Sequence, residues 1–266
     1  MGHNAIASVL TNTNSGRLFI GTSGWSYRHW RDTVYPSRLP TTKWLRFIED
    51  NFNTVEINAS FYRLPKPEVV AQWGATAPPG FEFALKMWRG ITHYSKLKNA
   101  GHNLARFLEV AEAMEPTRRA PMLIQLPPNQ SIDVEKLESF LGEFASGSDS
   151  HWRLAVEFRH DSWLTAQTIA VLDRYGAALC VHDMRGKGAV AEPNEKSTFV
   201  YVRRHGSGDA RYSGKYTPEE IRHDAQLIDQ WRRSGRDVYV YYNNDIGGHA
   251  FHNALELRRR CEELQQ

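Results

Sequence analysis

The sequence predicts an α/β fold, a single (β/α)8 barrel of the TIM type, on three observations. Short apolar runs alternate with helix-like segments along nearly the whole chain, and eight such runs can be counted. Strict alternation of strand and helix favours parallel strands joined by helical crossovers. The length of 266 residues suits eight units in one barrel. A doubly wound open sheet is the alternative, but it normally has fewer units.

Each predicted strand is a run of aliphatic, β-branched or aromatic residues bounded by Gly, Pro, Asn or charged residues. The strands are predicted at 17–22, 53–58, 81–86, 121–128, 153–159, 177–183, 198–203 and 237–244. Helices are predicted at 43–51, 67–76, 101–115, 133–145, 161–175, from 217 onward, and at 249–264. The connection 184–197 lacks a convincing helix, so seven of the eight strands precede one.

Local signals mark the ends of two helices. Residues 217–220 read Thr-Pro-Glu-Glu, which supplies a cap, a proline at the first helical position and acids at the positive end of the helix dipole. Asp161 or Ser162 is expected to cap the helix that Gly176 ends. The helix at 133–145 carries its large apolar residues on one stripe, as expected of a helix packed on a sheet.

Composition indicates one globular domain over 17–266, preceded by a disordered lead-in over 1–16. The net charge of +3 is too weak to predict nucleic-acid binding unless the charges cluster. Cys180 and Cys261 have neither disulfide-framework nor metal-ligand spacing, so free thiols are expected. With no long apolar run and no signal peptide, we expect a cytoplasmic protein without a membrane partner.

Polar residues follow or end most predicted strands, which in a barrel open onto one face where the active site lies. Alternation puts Glu56 and Asn58 on one side of the second strand, and Glu157 and Arg159 on one side of the fifth. The full set at the strand ends is Glu56, Asn58, Lys86, Gln125, Glu157, Arg159, His182, Asp183, Arg203, His205, Asn243 and Asn244.

These residues offer acid–base and anion-binding chemistry. Glu56 and Glu157 are candidate proton-transfer groups, with Lys86 as the third candidate catalytic residue. The cations Lys86, Arg159 and Arg203 could hold a phosphate or a carboxylate. The alternative is a purely structural role as an internal ion-pair network, in which Glu157 neutralises Arg159 and Glu56 neutralises Lys86.

The remaining predicted contacts orient or stack on a ligand. The aromatic side chains that could stack on a ring are Trp25, Tyr27, Phe61, Tyr62, Trp88 and Trp163, of which Trp25, Tyr27 and Tyr62 are taken as ligand contacts. The amides of Asn58, Gln125 and Asn244 could orient the ligand. The predicted partner is therefore a small molecule, phosphate- or carboxylate-bearing.

Three functions remain open at this point. The first is an enzyme acting on a small anionic or sugar-like substrate by carboxylate acid–base chemistry. The second is a metal-dependent phosphoesterase or sugar isomerase using Glu157, His182 and His205. No H-x-H or H-x-x-x-H spacing occurs at a strand end, so no metal ligand is assigned. The third is a nucleotide or nucleic-acid binding protein, suggested by the interleaved basic and aromatic residues of 86–98 and 201–216. The glycines of 21–24 lack the G-x-G-x-x-G spacing of a dinucleotide site, and no cofactor is identified.

Five motifs resemble the YecE-like family, also catalogued as domain of unknown function 72. They are GTSGWSY at 21–27, TVEINASFY at 54–62, QLPP at 125–128, EFR at 157–159 followed by Ser162-Trp163, and YNN at 242–244. The resemblance extends over about residues 17–257. It implies a (β/α)8 barrel and no established reaction, substrate or cofactor.

Overall fold

A computed structural model describes residues 15–147, 152–184, 189–208 and 212–265 of the chain. The predicted lead-in lies outside these residues except at its end, where Gly16 exchanges hydrogen bonds with Arg232. In the described part, parallel strands alternate with helices, which confirms the α/β class. Within the same residues, no helix combines the length and apolar character that a membrane span needs.

The strands fall close to the predicted positions. They are β1 Leu18–Thr22, β2 Thr54–Ile57, β3 Glu82–Leu85, β4 Met122–Gln125, β5 Leu154–Glu157, β6 Ala178–Leu179, β7 Val181–His182, β8 Phe199–Arg204 and β9 Asp237–Tyr242. The α-helices are α1 Trp44–Asn51, α2 Ala59–Tyr62, α3 Pro67–Thr76, α4 Gly101–Ala111, α5 Val134–Gly147, α6 Ala166–Arg174, α7 Pro218–Arg233 and α8 His249–Glu263. The four-residue helix α2 was not predicted from the sequence.

Three sheets contain these strands, in the orders β1-β9-β8-β7, β2-β3 and β4-β5-β6, and every pairing is parallel. Single parallel bridges lie between neighbouring sheets, one from Ser23 to Glu56 and another from Lys86 to Leu123. At Gly21 a side chain would collide with the Thr54 carbonyl oxygen, so only glycine permits this approach of β1 to β2.

The predicted strand 177–183 is interrupted at Cys180 and divided into β6 and β7. The Cys180 N–H still donates to the Val156 carbonyl oxygen at 2.9 Å. Beyond it, Val181 pairs with Val202 of β8. The segment therefore changes neighbour from β5 to β8, which explains the break in its regular pairing. Both cysteines are buried free thiols, as expected.

One helix start was predicted correctly and one was misplaced. The Thr217 hydroxyl accepts from the Glu220 N–H, while the Glu220 side chain accepts from the Thr217 N–H, a complete capping box. The expected cap at Asp161 or Ser162 is wrong for α6. Those residues lie in a separate 3-10 turn, and Thr165 caps the helix by accepting from the Thr168 N–H.

Apolar side chains form two clusters. The larger includes the stripe of α5, whose Leu137, Phe140, Leu141 and Phe144 are buried as predicted. The smaller, which we call the inner cluster, is drawn from strands of all three sheets or from residues beside them. Its members are Phe19, Ala84, Ala120, Leu123, Ala155, Ala178, Cys180, Phe199, Tyr201, Tyr239 and Tyr241.

Candidate active site

Arg203 lies at the centre of a buried charge network. It is on β8, and its side chain is 1% exposed. Its Nη2 is 2.7 Å from Glu56 Oε1, and its Nη1 is 2.6 Å from Glu157 Oε2. One guanidinium therefore bridges the carboxylates that β2 and β5 deliver. Because an unpaired buried charge is strongly destabilising, each of these three groups depends on the others for its burial.

Both oxygens of Glu56 accept hydrogen bonds. The Ser23 hydroxyl donates to Oε1, which also faces Arg203, and the Tyr201 hydroxyl donates to Oε2 at 2.7 Å. Burial, with a further contribution from Glu56, raises the pKa of Tyr201 well above its ordinary value, so the phenol stays a neutral donor. Asn58 donates to the Ser23 hydroxyl at 2.9 Å. This arrangement makes Glu56 an anchor for Arg203.

Glu157 is held by two arginines. Arg159 Nε donates to its Oε1, and Arg203 Nη1 donates to its Oε2. Burial alone would raise the pKa of Glu157, but the Arg159 and Arg203 guanidiniums outweigh burial and hold that pKa well below its usual range. The expected Glu157–Arg159 ion pair is thus present. Glu157 remains a carboxylate across the neutral range.

Two buried histidines lie beside Glu157. Burial lowers the pKa of His182 and holds that of His205 well below its ordinary value, so both rings are neutral at pH 7. His205 contacts Asn243 Nδ2 through Nδ1 at 3.1 Å and Arg159 Nη2 through Nε2 at 3.2 Å. One ligand atom from each of Glu157, His182 and His205 lies within 4.8 Å of the others.

Lys86 has a different environment from the two arginines. Its side chain is buried, and among the described residues it forms no ion pair, so the expected pairing with Glu56 is wrong. The Nζ atom lies 4.1 Å from the centroid of the Phe61 ring. Burial, reinforced by the Arg203 charge, lowers the pKa of Lys86 to about 7. This amine changes its charge near neutral pH.

A cleft of about 430 Å³ lies in front of this network. Its volume is within the range of pockets that bind small molecules. The lining residues come from the loops after β1, β8 and β9, from the ends of β3 and β8, and from α2 and the residue before it. They are Gly24, Trp25, Ser26, Tyr27, Asn58, Ala59, Tyr62, Lys86, Arg203, Tyr212, Asn243 and Asp245.

Two of the lining residues carry a buried polar atom without a hydrogen-bond partner in the described part of the chain. One is the donor Arg203 Nε, and the other is the acceptor Asn58 Oδ1. Buried polar groups are rarely left unpaired in folded proteins. A ligand that accepts from Arg203 and donates to Asn58 would satisfy both.

The predicted site residues divide into three groups. Seven line the cleft: Trp25, Tyr27, Asn58, Tyr62, Lys86, Arg203 and Asn243. Five belong to the charge network or lie beside it, and they are not among the lining residues: Glu56, Glu157, Arg159, His182 and His205.

The third group is engaged in local hydrogen bonds. Asp183 accepts from the His205 N–H and the Tyr216 hydroxyl, and Gln125 donates to the Leu126 carbonyl oxygen. Asn244 is fully buried and donates to Gly214 and Asn253. In these positions the three side chains hold loops near the strand ends.

Two contributors were not singled out from the sequence as site residues: Ser23 and Tyr201. Tyr201 lies two residues before Arg203 on one strand, so the same alternation that paired Glu56 with Asn58 could have identified it. Ser23 is within the GTSGWSY motif. Phe61 was named only as an aromatic ring that could stack on a ligand, and its contact with Lys86 was not predicted because that contact depends on how α2 packs.

Comparison with known proteins identifies the family. The model of the family described as "Protein of unknown function DUF72" matches residues 19–266. The UPF0759 protein YunF of Bacillus subtilis is 23% identical, over 90% of this chain and 93% of that protein. The UPF0759 protein YecE of Escherichia coli K12 is 30% identical over 54% of this chain, and the match spans only 48% of the length of YecE.

A solved structure extends the likeness to the fold. The crystal structure of a DUF72 family protein from Thermotoga maritima has a TM-score of 0.81 and 26% sequence identity, and the match covers 92% of this chain and 99% of that one. The family model covers nearly the whole described chain, and the motifs at 21–27, 54–62 and 157–159 supply most of the charge network. The chain belongs to the DUF72 family of proteins of unknown function, as those motifs predicted.

Proposed function

We propose that this protein is an enzyme that acts on a small anionic or sugar-like substrate bound in the cleft. The observation that carries the proposal is Lys86, a buried amine on the cleft wall with no ion-pair partner among the described residues and a pKa of about 7. Such a group can hold an anion as an ammonium and accept a proton as an amine.

The two glutamates take a different part in this proposal from the one expected from sequence. Glu56 and Glu157 are closed in by Arg203, Arg159 and hydroxyl donors, so neither is placed to exchange protons with a ligand in the cleft. We assign them to positioning Arg203. Arg203, which lines the cleft, then attracts the anion while Lys86 performs the proton transfer.

The proposal includes closure of the sheets into one eight-stranded barrel. Two features support it: the single bridges between the sheets, and the inner cluster drawn from strands of all three. A barrel interior filled by alternate side chains of its strands would have this composition. The cleft would then open at the carboxyl ends of the strands, where active sites of such barrels lie.

Anion binding tests the proposal directly. We expect sulfate to raise the melting temperature of the wild-type protein, because a ligand that binds only the folded state stabilises it. Sulfate is a dianion throughout the range from pH 6 to pH 9. The midpoint of any pH dependence of binding therefore reports a titrating group of the protein. The affinity should rise as pH falls through about 7, where Lys86 becomes an ammonium.

In Lys86→Met the affinity for sulfate should fall by about 10-fold or more, the value of one charge-assisted hydrogen bond. Lys98→Met is the matched control, because Lys98 is exposed and is not among the lining residues. It should leave sulfate binding unchanged. Equal binding in wild type and Lys86→Met would contradict the proposal.

A divalent-metal enzyme is the second candidate, favoured by the convergence of Glu157, His182 and His205. Two arginines already occupy the carboxylate, and His182 Nε2 lies 3.0 Å from the Phe158 carbonyl oxygen. A cation would have to displace these partners. We therefore expect elemental analysis of the purified protein to find far less than one equivalent of any divalent metal. About one equivalent, lost in His205→Ala, would favour the metal enzyme instead.

A further inference from the structure

Two exposed tyrosines flank an arginine at the rim of the cleft. Tyr62 is 61% exposed and Tyr94 is 69% exposed, the two highest values among the large apolar and aromatic side chains described. The Arg89 guanidinium carbon lies 5.7 Å from the Tyr62 ring centroid and 5.4 Å from that of Tyr94. We call these three residues the aromatic shelf. It presents flat π-surfaces to solvent where packing within the protein does not require them.

The backbone around the shelf is irregular. Tyr94 ends a π-helix, Gly90–Tyr94, and Arg89 is the residue before it. Lys96, Leu97 and Asn99 follow with φ values of 49°, 66° and 47°, in the left-handed region that side chains disfavour. Short π-helices and strained backbone both concentrate at functional sites.

The shelf is continuous with the cation site. Tyr62 lines the same cleft as Lys86 and Arg203. The Phe61 ring links them, because its centroid is 5.0 Å from that of Tyr62 and 4.1 Å from Lys86 Nζ. A ligand of modest size could therefore reach a flat aromatic surface with one end and the cations with the other.

We infer that the substrate is a nucleoside phosphate, with its phosphate at Lys86 and Arg203 and its base stacked on the aromatic shelf. This inference rests on the proposed function and adds the substrate class. Base stacking on tyrosine and arginine suits any planar heterocycle. A mononucleotide is favoured over a polymer, because the net charge of +3 and the intermixed acids offer no long basic track for a phosphate backbone.

The test compares adenosine 5′-monophosphate with ribose 5-phosphate, which lacks only the base. By isothermal titration we expect the wild-type protein to bind the nucleotide about 5- to 100-fold more tightly, the range of one stacked base. The double variant Tyr62→Ala/Tyr94→Ala should lose this preference and bind the two ligands with equal affinity. The double variant Tyr62→Phe/Tyr94→Phe retains both rings and should keep the preference.

The outcomes distinguish failure of the nucleotide inference from failure of the proposed function. Equal affinity for the two ligands, with binding lost in Lys86→Met, overturns the nucleotide inference and leaves the anion site standing. Retention of the preference in the alanine double variant also overturns it. Binding of single-stranded oligonucleotides without binding of the mononucleotide would replace it with a polymer partner. If sulfate and both phosphates fail to bind, the proposed function fails and the inference fails with it.

Discussion

Replacing Arg203 with methionine should cost the protein about 3–5 kcal/mol of its free energy of unfolding, the usual result of removing one partner from a buried ion pair. Glu56 and Glu157 would then face each other's charge across an apolar side chain, with Tyr201, Ser23 and Arg159 as their remaining donors. Urea unfolding at pH 7, followed by circular dichroism, measures the change.

The matched control is Arg174→Met, which also breaks an arginine–glutamate pair. Arg174 is 62% exposed and contacts Glu138 on the surface. Exposed pairs contribute about 0–1 kcal/mol, so this variant should unfold close to wild type. Comparable losses in the two variants would mean that the network around Arg203 is not the buried structure described.

A second variant keeps the prediction testable where the destabilised Arg203→Met is expressed poorly. In the double variant Glu56→Gln/Arg203→Met the Glu56 carboxylate becomes a neutral amide, while Glu157 keeps its ion pair with Arg159. It should be more stable than Arg203→Met alone. A double variant less stable than the single one would show that the unpaired carboxylate charge is not the cause of the loss.

The order of elements and the convergence of polar residues from several strand ends were predictable because both depend on local pattern. Alternation in 54–58 and 153–159 identified the strands and the faces of Glu56 and Glu157. The capping box at Thr217 was readable for the same reason, since all of its atoms lie within one turn. Parallel pairing then brings the carboxyl ends of neighbouring strands to the same edge.

The Glu157–Arg159 pair was suggested from the sequence because both residues lie on one strand, but the pairing of charges between strands was not predictable, because it depends on side-chain directions across distant strands. Sequence spacing suggested that Glu56 would neutralise Lys86, whereas Arg203 reaches both glutamates from β8 and leaves Lys86 without an ion pair in the described chain. The contact between Phe61 and Lys86 was not predicted for the same reason, since it requires the unpredicted helix α2.

Lys86→Met should stabilise the protein while it weakens anion binding by about 10-fold or more. The folded-state pKa of Lys86 is about 7, whereas an unfolded lysine titrates near 10.4. At about 1.4 kcal/mol per pKa unit, holding the ammonium in the fold costs roughly 3–5 kcal/mol below pH 7. Methionine has similar length and no charge, so this cost disappears.

The pH dependence identifies the cause. Between pH 7 and about 10.4 the unfolded state binds more protons at Lys86 than the folded state does, so this residue makes wild-type stability rise with pH across that window. Lys86→Met lacks this contribution. Its advantage over wild type should therefore be largest at pH 6 and should shrink toward zero near pH 10, in urea unfolding measured at half-unit steps. A pH-independent difference, or a less stable variant at pH 6, would mean that the amine is not held against its charge. Under the proposed function, a buried amine on the cleft wall weakens the fold because anion binding and proton transfer both need it there.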